Sequence, residues 1–451
     1  MTTVSHHDTP VLNVALLGGG TVGSQVARIL TEDSELLTER IGARLNLAGV
    51  FVRNTAAQRD YQLPSLLYTT DAEELISRAD IVIELMGGID PARELILAAI
   101  NRGAAVVTGN KALLATHGTE LFTAAADQGV QLSFEASVCG AIPILRPLRD
   151  SLSGDRVTRV MGIANGTTNY ILDQMDTTGI SFGDALAEAQ RLGYAEADPT
   201  ADIAGHDAAA KVAILASLAF QAPFTLDQVD CQGITTITAE DNEAAAAAGF
   251  VIKLLAIAER VSTNGDDGVV LRVHPTLLPR EHPLAAVRGA YNAVFVEAEN
   301  AGELMFYGAG AGGEATASAV MGDVVSIAKR LQHGGPGRPH TPKTSLDALE
   351  IGHTTTSYMI VVHAADQPGV LATVASLFAE QGVSIETMQQ APAELTPLEA
   401  ERAAAAGETP QAVLRFITHR GLEQRLADTV AAIEELDVVS AVTSVLRVEG
   451  N

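Results

Sequence analysis

The feature that most constrains the fold is an alternation, between residues 11 and 134, of short apolar runs with helix-like segments. The runs that predict strands are Val11–Leu17, Leu45–Val52, Ile81–Leu85, Ala104–Thr108 and Val130–Phe134. Continuously apolar strands are typical of a parallel sheet with helices on both faces, because both faces of each strand are then buried. The sequence therefore predicts a doubly wound α/β domain in this part of the chain.

The first apolar run leads into a glycine-rich turn, Gly18-Gly19-Gly20-Thr21-Val22-Gly23. In a dinucleotide site Gly18 would permit the tight turn, Gly20 would leave room for a pyrophosphate, and Gly23 would let helix and strand pack closely. The amino terminus of the following helix would then face the anion. The context, between a predicted strand and a predicted helix, favours this interpretation over a purely structural turn.

The residue that follows the second predicted strand bears on the choice of cofactor. A carboxylate at this point usually binds the adenosine ribose of NAD, but here the strand ends in Arg53-Asn54. An arginine favours the 2′-phosphate of NADP, so NADP is preferred and NAD stays possible. The alternative is that Arg53 is a solvated surface residue and that the site accepts either cofactor.

Charge and cysteine content limit the partners and the compartment. With 29 Lys and Arg against 55 Asp and Glu, the formal net charge is −26, which argues against nucleic acid or an anionic membrane as partner. The two cysteines, Cys139 and Cys231, cannot form a disulfide framework. Since no signal peptide or apolar span long enough for a membrane helix is recognisable, we expect a cytoplasmic protein.

The middle of the chain predicts a second, α+β domain with several Ala-rich helices. One helix is expected to begin at Thr238, with Asp241 completing a capping box, and to run on through the sequence FVIKLLAIAERV. Strands are expected in the sequences VVLRVHP and NAVFVEAE. The Gly/Pro-rich stretch His333–Thr344 is the best candidate for a linker.

The C-terminal part predicts a small ferredoxin-like domain, because strands and helices follow in the order strand, helix, strand, strand, helix, strand. These elements are expected at Ser357–Ala364, Gly369–Gln381, Val383–Gln389, Val413–His419, Leu422–Leu436 and Ser440–Val448. The acidic, Ala-rich segment Ala391–Pro410 is predicted to be a long excursion between two strands.

The most informative run extends from Ala189 to Lys211 and ends with Asp207 and Lys211 on one helix face. A surface ion pair that contributes little is one interpretation of this pair. Against it, the neighbours of Lys211 in the sequence AAAKVAILASLAF are apolar, and an apolar environment would lower the pKa of the lysine toward neutral pH. A second lysine, Lys111, follows the fourth predicted strand, where ligands of open α/β sheets bind; it could equally be a solvated loop residue.

These motifs together resemble the homoserine dehydrogenase family, in its longer bacterial form. The run from Ala189 to Lys211 is similar to the family signature A-x3-G-Y-x-E-x-D-P-x2-D-I-x-G-x-D-x3-K. Supporting stretches are GGGTVG, Gly109-Asn110-Lys111, FEASVCGAIPIL, GIANGTTNYIL and FYGAGAGGEATASAVMGDVV. The resemblance implies NAD(P)-dependent interconversion of L-homoserine and L-aspartate 4-semialdehyde, an oxidoreductase step on a CH–OH group, in threonine, methionine and isoleucine biosynthesis.

The resemblance also implies site residues. Lys211 takes the position of the proton donor and acceptor, with Lys111 and Asp207 beside it. The residues implied for substrate are Glu196, Asp202, Asp207 and Lys111. Those implied for the cofactor are Gly18, Gly20, Thr21, Val22, Gly23, Arg53, Lys111, Gly310 and Gly312. A monovalent cation, usually sodium, is implied at the Glu135 carboxylate and the main-chain oxygens of Val138, Gly140 and Ile142.

The expected domains follow from the same resemblance. They are a Rossmann-type domain over 1–145 to which 306–330 returns, a catalytic and dimerisation domain over 146–332, a linker over 333–354 and an ACT domain over 355–451. The ACT domain implies threonine as effector, with oligomerisation alone as the alternative, and the protein is expected to be a homodimer or homotetramer.

Two rival functions stay open at this stage. One is another NAD(P)-dependent oxidoreductase of amino-acid semialdehydes; a phosphorylating type would use Cys139 as nucleophile, although its neighbours Val138 and Gly140 offer no base. The other is a catalytically silent amino-acid sensor.

Overall fold

The computed structural model of the chain describes residues 9–263, 266–334, 344–393 and 410–450. Most of the predicted excursion Ala391–Pro410 and most of the Gly/Pro-rich stretch His333–Thr344 lie outside these residues. The strands are β1 (Val11–Leu17), β2 (Arg44–Phe51), β3 (Tyr68–Thr69), β4 (Ile81–Glu84), β5 (Ala105–Thr108), β6 (Leu132–Ser133), β7 (Val157–Ile163), β8 (Val229–Cys231), β9 (Phe250–Thr263), β10 (Asp266–Pro279), β11 (Tyr291–Ala298), β12 (Gly302–Ala309), β13 (Asp347–Ala348), β14 (Thr355–Ala365), β15 (Ile385–Pro392), β16 (Gln411–Thr418), β17 (Gly421–Leu422) and β18 (Val439–Val448).

Helices alternate with these strands along the described chain. They are α1 (Thr21–Glu32), α2 (Ser34–Ile41), α3 (Ala72–Ser77), α4 (Ala92–Asn101), α5 (Lys111–Asp127), α6 (Gly166–Thr178), α7 (Phe182–Arg191), α8 (Thr200–Ile203), α9 (His206–Ala219), α10 (Ala239–Ala247), α11 (Gly313–His333), α12 (Val370–Glu380) and α13 (Glu423–Glu434). Among the described residues, no helix has the length and apolar character needed to cross a membrane.

The N-terminal strands form a six-stranded parallel sheet in the order β3-β2-β1-β4-β5-β6. This is the strand order of a doubly wound dinucleotide-binding fold, as the apolar alternation predicts, and the order reverses between β1 and β4. Helix α11 returns from far along the chain and buries Ala317, Val320 and Val324 against the same core as Val14 and Leu16. The loop that follows β1 therefore lies at the topological switch point, where ligands bind in such sheets.

The second sheet extends through the rest of the molecule in the order β12-β11-β7-β9-β10-β18-β14-β16-β15. Helix α9 packs on it and buries Val212 and Leu215 in the largest apolar core. The helix expected to start at Thr238 does have its capping box with Asp241, but it ends at Ala247. The prediction that it continues is wrong, because Gly249 adopts φ of +84° and the following residues pair in the sheet as β9.

The C-terminal strands and helices have the predicted ferredoxin-like order, with strands arranged β18-β14-β16-β15 and a separate core under α12 and α13. The described part of the expected linker also takes part in the sheet: β13 pairs with β10, and Leu349 N donates to Val269 O at 2.9 Å. Strand β18 also pairs in parallel with β10, through Thr276 with Arg447 and Leu277 with Val448. The middle part of the chain and the C-terminal domain thus share one continuous sheet.

Candidate active site

Three segments that are distant in sequence meet at the site, and each begins or ends a regular element. Lys111 is the first residue of α5, directly beyond β5, and Asn110 caps that helix by accepting from Leu113 N. Ala164 and Asn165 follow the end of β7. Asp207 and Lys211 lie four residues apart in the first two turns of α9, so both project from one helix face.

The centre of the site is the Asp207 carboxylate, which lies between the two lysines. Lys211 Nζ donates to Asp207 Oδ2 at 2.7 Å and to the main-chain oxygen of Ala164 at 2.6 Å. Lys111 Nζ is hydrogen bonded to the other carboxylate oxygen, Oδ1. Asp207 and Lys211 are 8% exposed, whereas the Lys111 side chain is 44% exposed. The buried pair therefore reaches solvent on the side of Lys111.

The electrostatics of the pair differ from the expectation drawn from the apolar neighbours of Lys211. Burial alone would raise the pKa of the Asp207 carboxyl, but the charges of Lys211 and Lys111 outweigh it and hold that pKa well below its usual range. Burial alone would lower the pKa of Lys211, but the Asp207 charge reverses this and raises it. The prediction of a lowered pKa for Lys211 is wrong, because the apolar sequence neighbours do not disclose the carboxylate one helical turn away in contact with Nζ.

A second buried lysine, Lys253, has the property that was expected of Lys211. Its Nζ donates to Asn169 Oδ1 at 2.9 Å and to Val287 O at 2.6 Å, which are both neutral acceptors. Burial lowers the pKa of Lys253 to about 8. The two buried lysines therefore differ in the direction of their pKa shift because Lys211 contacts a carboxylate and Lys253 contacts neutral acceptors.

Two asparagines complete the site, and the sequence analysis did not assign either of them. Asn165 Nδ2 donates to Asp207 Oδ2 at 2.8 Å and to Asp202 Oδ1 at 2.7 Å, while its Oδ1 caps α6. Asn292 Nδ2 donates at 3.0 Å to the Ala164 oxygen that also accepts from Lys211. The N-cap pattern Asn-Gly-Thr-Thr could have identified Asn165, but only the packing of β11 brings Asn292 here.

The acidic residues predicted for substrate are not all at the centre. Asp202 is half-buried and joined to Asp207 through Asn165. Glu196 is exposed in the loop between α7 and α8; within the described chain only its main-chain oxygen is hydrogen bonded, to Gln190 Nε2 at 3.1 Å. Its carboxylate is therefore available to a ligand but makes no contact with the lysines.

The glycine turn after β1 has the shape that a bound pyrophosphate requires. Gly18 has φ of +109°, and a Cβ there would lie 2.7 Å from Leu85 O. A Cβ on Gly23 would lie 2.1 Å from Gly18 O, so helix and strand can pack closely only with glycine. Around Gly20 a Cβ would meet nothing within 4 Å, which leaves open space before the amino terminus of α1, Thr21 and Val22.

Arginines lie beside this turn. Arg53 is exposed just after β2. Arg59, which the sequence analysis missed, packs directly against the turn, since a Cβ on Gly19 would be 2.9 Å from its Nε. Arg59 donates to the main-chain oxygens of Asn54 and Ala57 and stacks over Tyr68 at 4.3 Å. These positive charges suit an anionic group next to the turn.

The late glycine loop lies between the two predicted binding regions. Gly312 has φ of +118° and precedes α11, and a Cβ on Gly313 would be 3.0 Å from Thr21 Cγ2 at the first turn of α1. A Cβ on Gly310 would be 2.2 Å from the Asn292 side chain. The loop thus connects the nucleotide turn with the hydrogen bonds around Lys211.

Glu135, which is predicted to bind a monovalent cation, is hydrogen bonded within the chain. Both Glu135 carboxylate oxygens are already engaged: Leu145 N donates to Oε1 at 2.8 Å, and Arg146 N and Nε donate to Oε2 at 3.0 and 3.1 Å. These hydrogen bonds fix the orientation of the Glu135 carboxylate, and its role as a cation ligand stays a prediction. In the described chain no group of three or more His, Cys, Asp or Glu side chains could hold a metal ion. The other predicted ligands are the main-chain oxygens of Val138, Gly140 and Ile142, which such a group of side chains does not include.

Cys139 does not have the properties of a nucleophile. It is 1% exposed, and burial raises the pKa of its thiol above the ordinary value. A thiolate is thus disfavoured, and a phosphorylating aldehyde dehydrogenase that acts through this cysteine is not supported.

Comparison with known families covers most of the chain. The model described as homoserine dehydrogenase matches residues 143–325, the homoserine dehydrogenase NAD binding domain matches 18–135, and the ACT domain matches 358–438. The homoserine dehydrogenase of Corynebacterium glutamicum is 51% identical over 441 residues, covering 97% of this chain and 96% of the relative. That of Mycobacterium tuberculosis is 49% identical over 446 residues, covering 98% and 99%.

Solved structures agree with these matches. A homoserine dehydrogenase from Thiobacillus denitrificans superposes with a TM-score of 0.86 at 39% identity, over 97% of this chain and 98% of the other. The enzyme from S. aureus at pH 6.5 gives 0.75 at 31% identity, over 98% and 100%. A hyperthermophilic archaeal homoserine dehydrogenase mutant in complex with NADPH gives 0.60 at 27% identity, over 73% and 100%.

Proposed function

The chain belongs to the homoserine dehydrogenase family and is an NAD(P)-dependent oxidoreductase acting on a CH–OH group, and from the site geometry we infer that Lys211 moves the proton between L-homoserine and L-aspartate 4-semialdehyde. The observation that carries this assignment is the buried Asp207 carboxylate between the ammonium groups of Lys111 and Lys211. Another oxidoreductase of amino-acid semialdehydes is not favoured.

The chemistry follows from the charge state of Lys211. When bound, the nicotinamide takes or supplies the hydride at C4 of the substrate. Because Asp207 raises the pKa of Lys211, the ammonium form is the resting form. In reduction Lys211 donates a proton to the developing alkoxide, and in oxidation it must be neutral before it can accept the hydroxyl proton.

Substrate binding is assigned by position. The partly exposed Lys111 lies at the solvent side of the pair and suits the substrate carboxylate or oxygen. Asp202, which is joined to Asp207 through Asn165, and the exposed Glu196 are the acidic groups that suit the substrate ammonium. The glycine turn, Gly310 and Gly312 are assigned to the cofactor.

We assign NADP as the preferred cofactor, because Arg53 and Arg59 lie beside the glycine turn and a similar archaeal enzyme binds NADPH. Replacing Arg53 by Ala should raise KM for NADP about tenfold and leave KM for NAD within twofold, because one charged contact to the 2′-phosphate is lost. Arg44→Ala, at the opposite end of β2 and also exposed, is the control. Equal loss with both cofactors would exclude recognition of the 2′-phosphate.

Regulation and assembly are proposed from the C-terminal domain and the sheet edge. L-threonine is the proposed effector at the ACT domain. A homodimer or homotetramer is proposed because β12 is the edge strand of the long sheet and exposes Met305 and Tyr307, the latter stacked on Tyr291 at 5.2 Å. A monovalent cation, to be tested as sodium, is proposed to bind at the Glu135 carboxylate and the main-chain oxygens of Val138, Gly140 and Ile142, and no step of the reaction is assigned to it.

One assay tests these assignments. Formation of the reduced nicotinamide is followed by absorbance with L-homoserine, with NADP or NAD, and with or without L-threonine and sodium. Homoserine-dependent reduction of NADP is the expected result. Threonine binding without any such reduction would identify a silent sensor instead.

A further inference from the structure

A second buried cluster of charges lies outside the site and joins the C-terminal domain to the catalytic sheet. Glu449, directly after β18, is 1% exposed. Its Oε1 accepts from Arg272 Nη2 at 2.8 Å, and its Oε2 accepts from Arg159 Nη2. Arg272 is also 1% exposed, and its Nε and Nη1 have no hydrogen-bond partner in the described chain. Arg272 Nη2 also donates to Glu259 Oε2 at 2.7 Å, so Glu449 and Glu259 together are the counter-charges of this buried arginine.

The backbone holds Glu449 at the point where the two parts of the molecule join. Strand β18 pairs with β14 inside the C-terminal domain and with β10 of the catalytic sheet. The main-chain N–H of Glu449 donates to Leu277 O at 3.0 Å, which extends the pairing with β10 by one residue. A displacement of β18 within its own domain would therefore move the Glu449 carboxylate.

The partner Arg159 lies on β7, the strand that leads to the active site. β7 ends at Ile163, and the next two residues are Ala164, whose oxygen accepts from Lys211, and Asn165, whose amide donates to Asp207. Arg159 and Ala164 are five positions apart in the chain, a distance of roughly 17 Å in extended conformation. One strand thus connects the Glu449 cluster with the groups that hold the proton-transfer lysine.

We propose that Glu449 is a positioning residue through which the C-terminal domain holds β7, and with it the hydrogen-bond partners of Lys211 and Asp207, in the working geometry. The proposal rests on the proposed role of Lys211. A shift of an ångström in the groups that orient a proton-transfer residue can reduce turnover up to a hundredfold, so a small movement of β7 is sufficient. An effector bound to the C-terminal domain would act through the same contact.

The test uses the full chain and three variants. Glu449→Gln removes the charge and presents an N–H₂ group to the arginines, and Glu449→Asp retains the charge. Glu423→Gln is the matched control: Glu423 is 2% exposed and is held by Arg447 at 2.6 Å and Tyr358 at 2.6 Å, both within the C-terminal domain. Activity is measured well below the Tm of each variant, so that all are folded.

Glu449→Gln should lower kcat about tenfold with KM for NADP within twofold, Glu449→Asp should recover most of kcat, and Glu423→Gln should stay within twofold of the unmodified protein. Equal effects of Glu449→Gln and Glu423→Gln, or an unchanged kcat in Glu449→Gln, would overturn the proposal. A Lys211→Ala variant that retains turnover would refute the proposed function instead.

Titration with L-threonine gives a second, independent measurement. Half-inhibition of Glu449→Gln should need at least ten times more threonine than that of Glu423→Gln. If the unmodified protein does not respond to threonine, the effector assignment is refuted, and the kcat comparison alone decides on Glu449.

Discussion

Two buried carboxylates in this molecule each lie between two cations, and they differ in the kind of cation. Asp207 lies between the lysines Lys111 and Lys211 at the end of β7. Glu449 lies between two arginines near the start of the same strand. Arginine stays charged at every physiological pH, whereas lysine can release its proton when its surroundings permit. The first cluster is therefore suited to proton transfer and the second to holding the chain in place.

Solvent access separates the two clusters further. The Lys111 side chain is 44% exposed, so a substrate can approach Asp207 from that side. The side chains of Arg272 and Glu449 are each 1% exposed, so solvent does not reach this ion pair in the same way. A carboxylate between two cations thus suits proton transfer in one cluster and structural support in the other. The type of cation and the access to solvent make the difference.

The largest expected effect is the loss of the proton-transfer group. Lys211→Ala should lower kcat by about 10²–10⁴-fold, because a positioned acid or base contributes about this factor. The dissociation constant of NADPH, measured by the fluorescence of its reduced nicotinamide, should change less than twofold. The measurement is steady-state oxidation of L-homoserine.

Lys211→Arg sharpens the comparison between the two clusters. It places an arginine, the kind of cation found beside Glu449, next to Asp207. The positive charge is kept but the proton cannot be exchanged, so we expect nearly the same loss as with Ala. If the Arg variant retained more than a tenth of the turnover, a purely electrostatic role for Lys211 would follow.

The next effect is a shift in pH dependence when Asp207 is neutralised. Oxidation requires neutral Lys211, so its rate rises with pH through the pKa of Lys211. Asp207→Asn removes the charge that raises this pKa and leaves burial to lower it, although the charge of Asp202 still acts on Nζ in the opposite direction. The rising limb of log kcat against pH should move at least one unit toward lower pH. An unchanged limb, or a shift to higher pH, would contradict the assignment.

The smallest expected effect is on acid stability, and it concerns the arginine cluster. Burial would raise the pKa of Glu449, but Arg159 and Arg272 lower it to about 2, below the ordinary value of 4.5. This contribution to the free energy of unfolding is fully present above pH 4.5 and is lost as the pH falls toward 2. Glu449→Gln should therefore lower stability at pH 7 by about 3 kcal/mol, and the difference from the unmodified chain should narrow between pH 4.5 and 2.

Urea unfolding at a series of pH values measures this difference. Glu423→Gln again serves as the control for a buried carboxylate held by arginine within one domain. If the difference in free energy of unfolding between Glu449→Gln and the unmodified chain stayed constant from pH 7 to pH 3, the arginines would not lower the pKa of Glu449.

Much of the fold could be predicted because it depends on local patterns. The first apolar run predicted β1 with the bounds that the structure shows, and the glycine turn predicted the strand-to-helix junction before α1. The prediction failed after Thr238, because Ala-rich and apolar residues continue past Gly249 without a change in composition while the backbone turns there into β9. Whether such residues form a helix or a strand depends on the partner strands available in the fold.

The sequence by itself determined the doubly wound domain, the ferredoxin-like domain and the spacing that places Asp207 and Lys211 on one helix face, since each depends on residues near one another in the chain. Only the tertiary structure decided the sign of the pKa shift of Lys211, the engagement of the Glu135 carboxylate by Arg146, and the pairing of Glu449 with Arg159 across 290 residues. The physical reason is that a buried charge responds to whichever groups packing brings within a few ångströms, and periodicity and spacing carry no record of those groups.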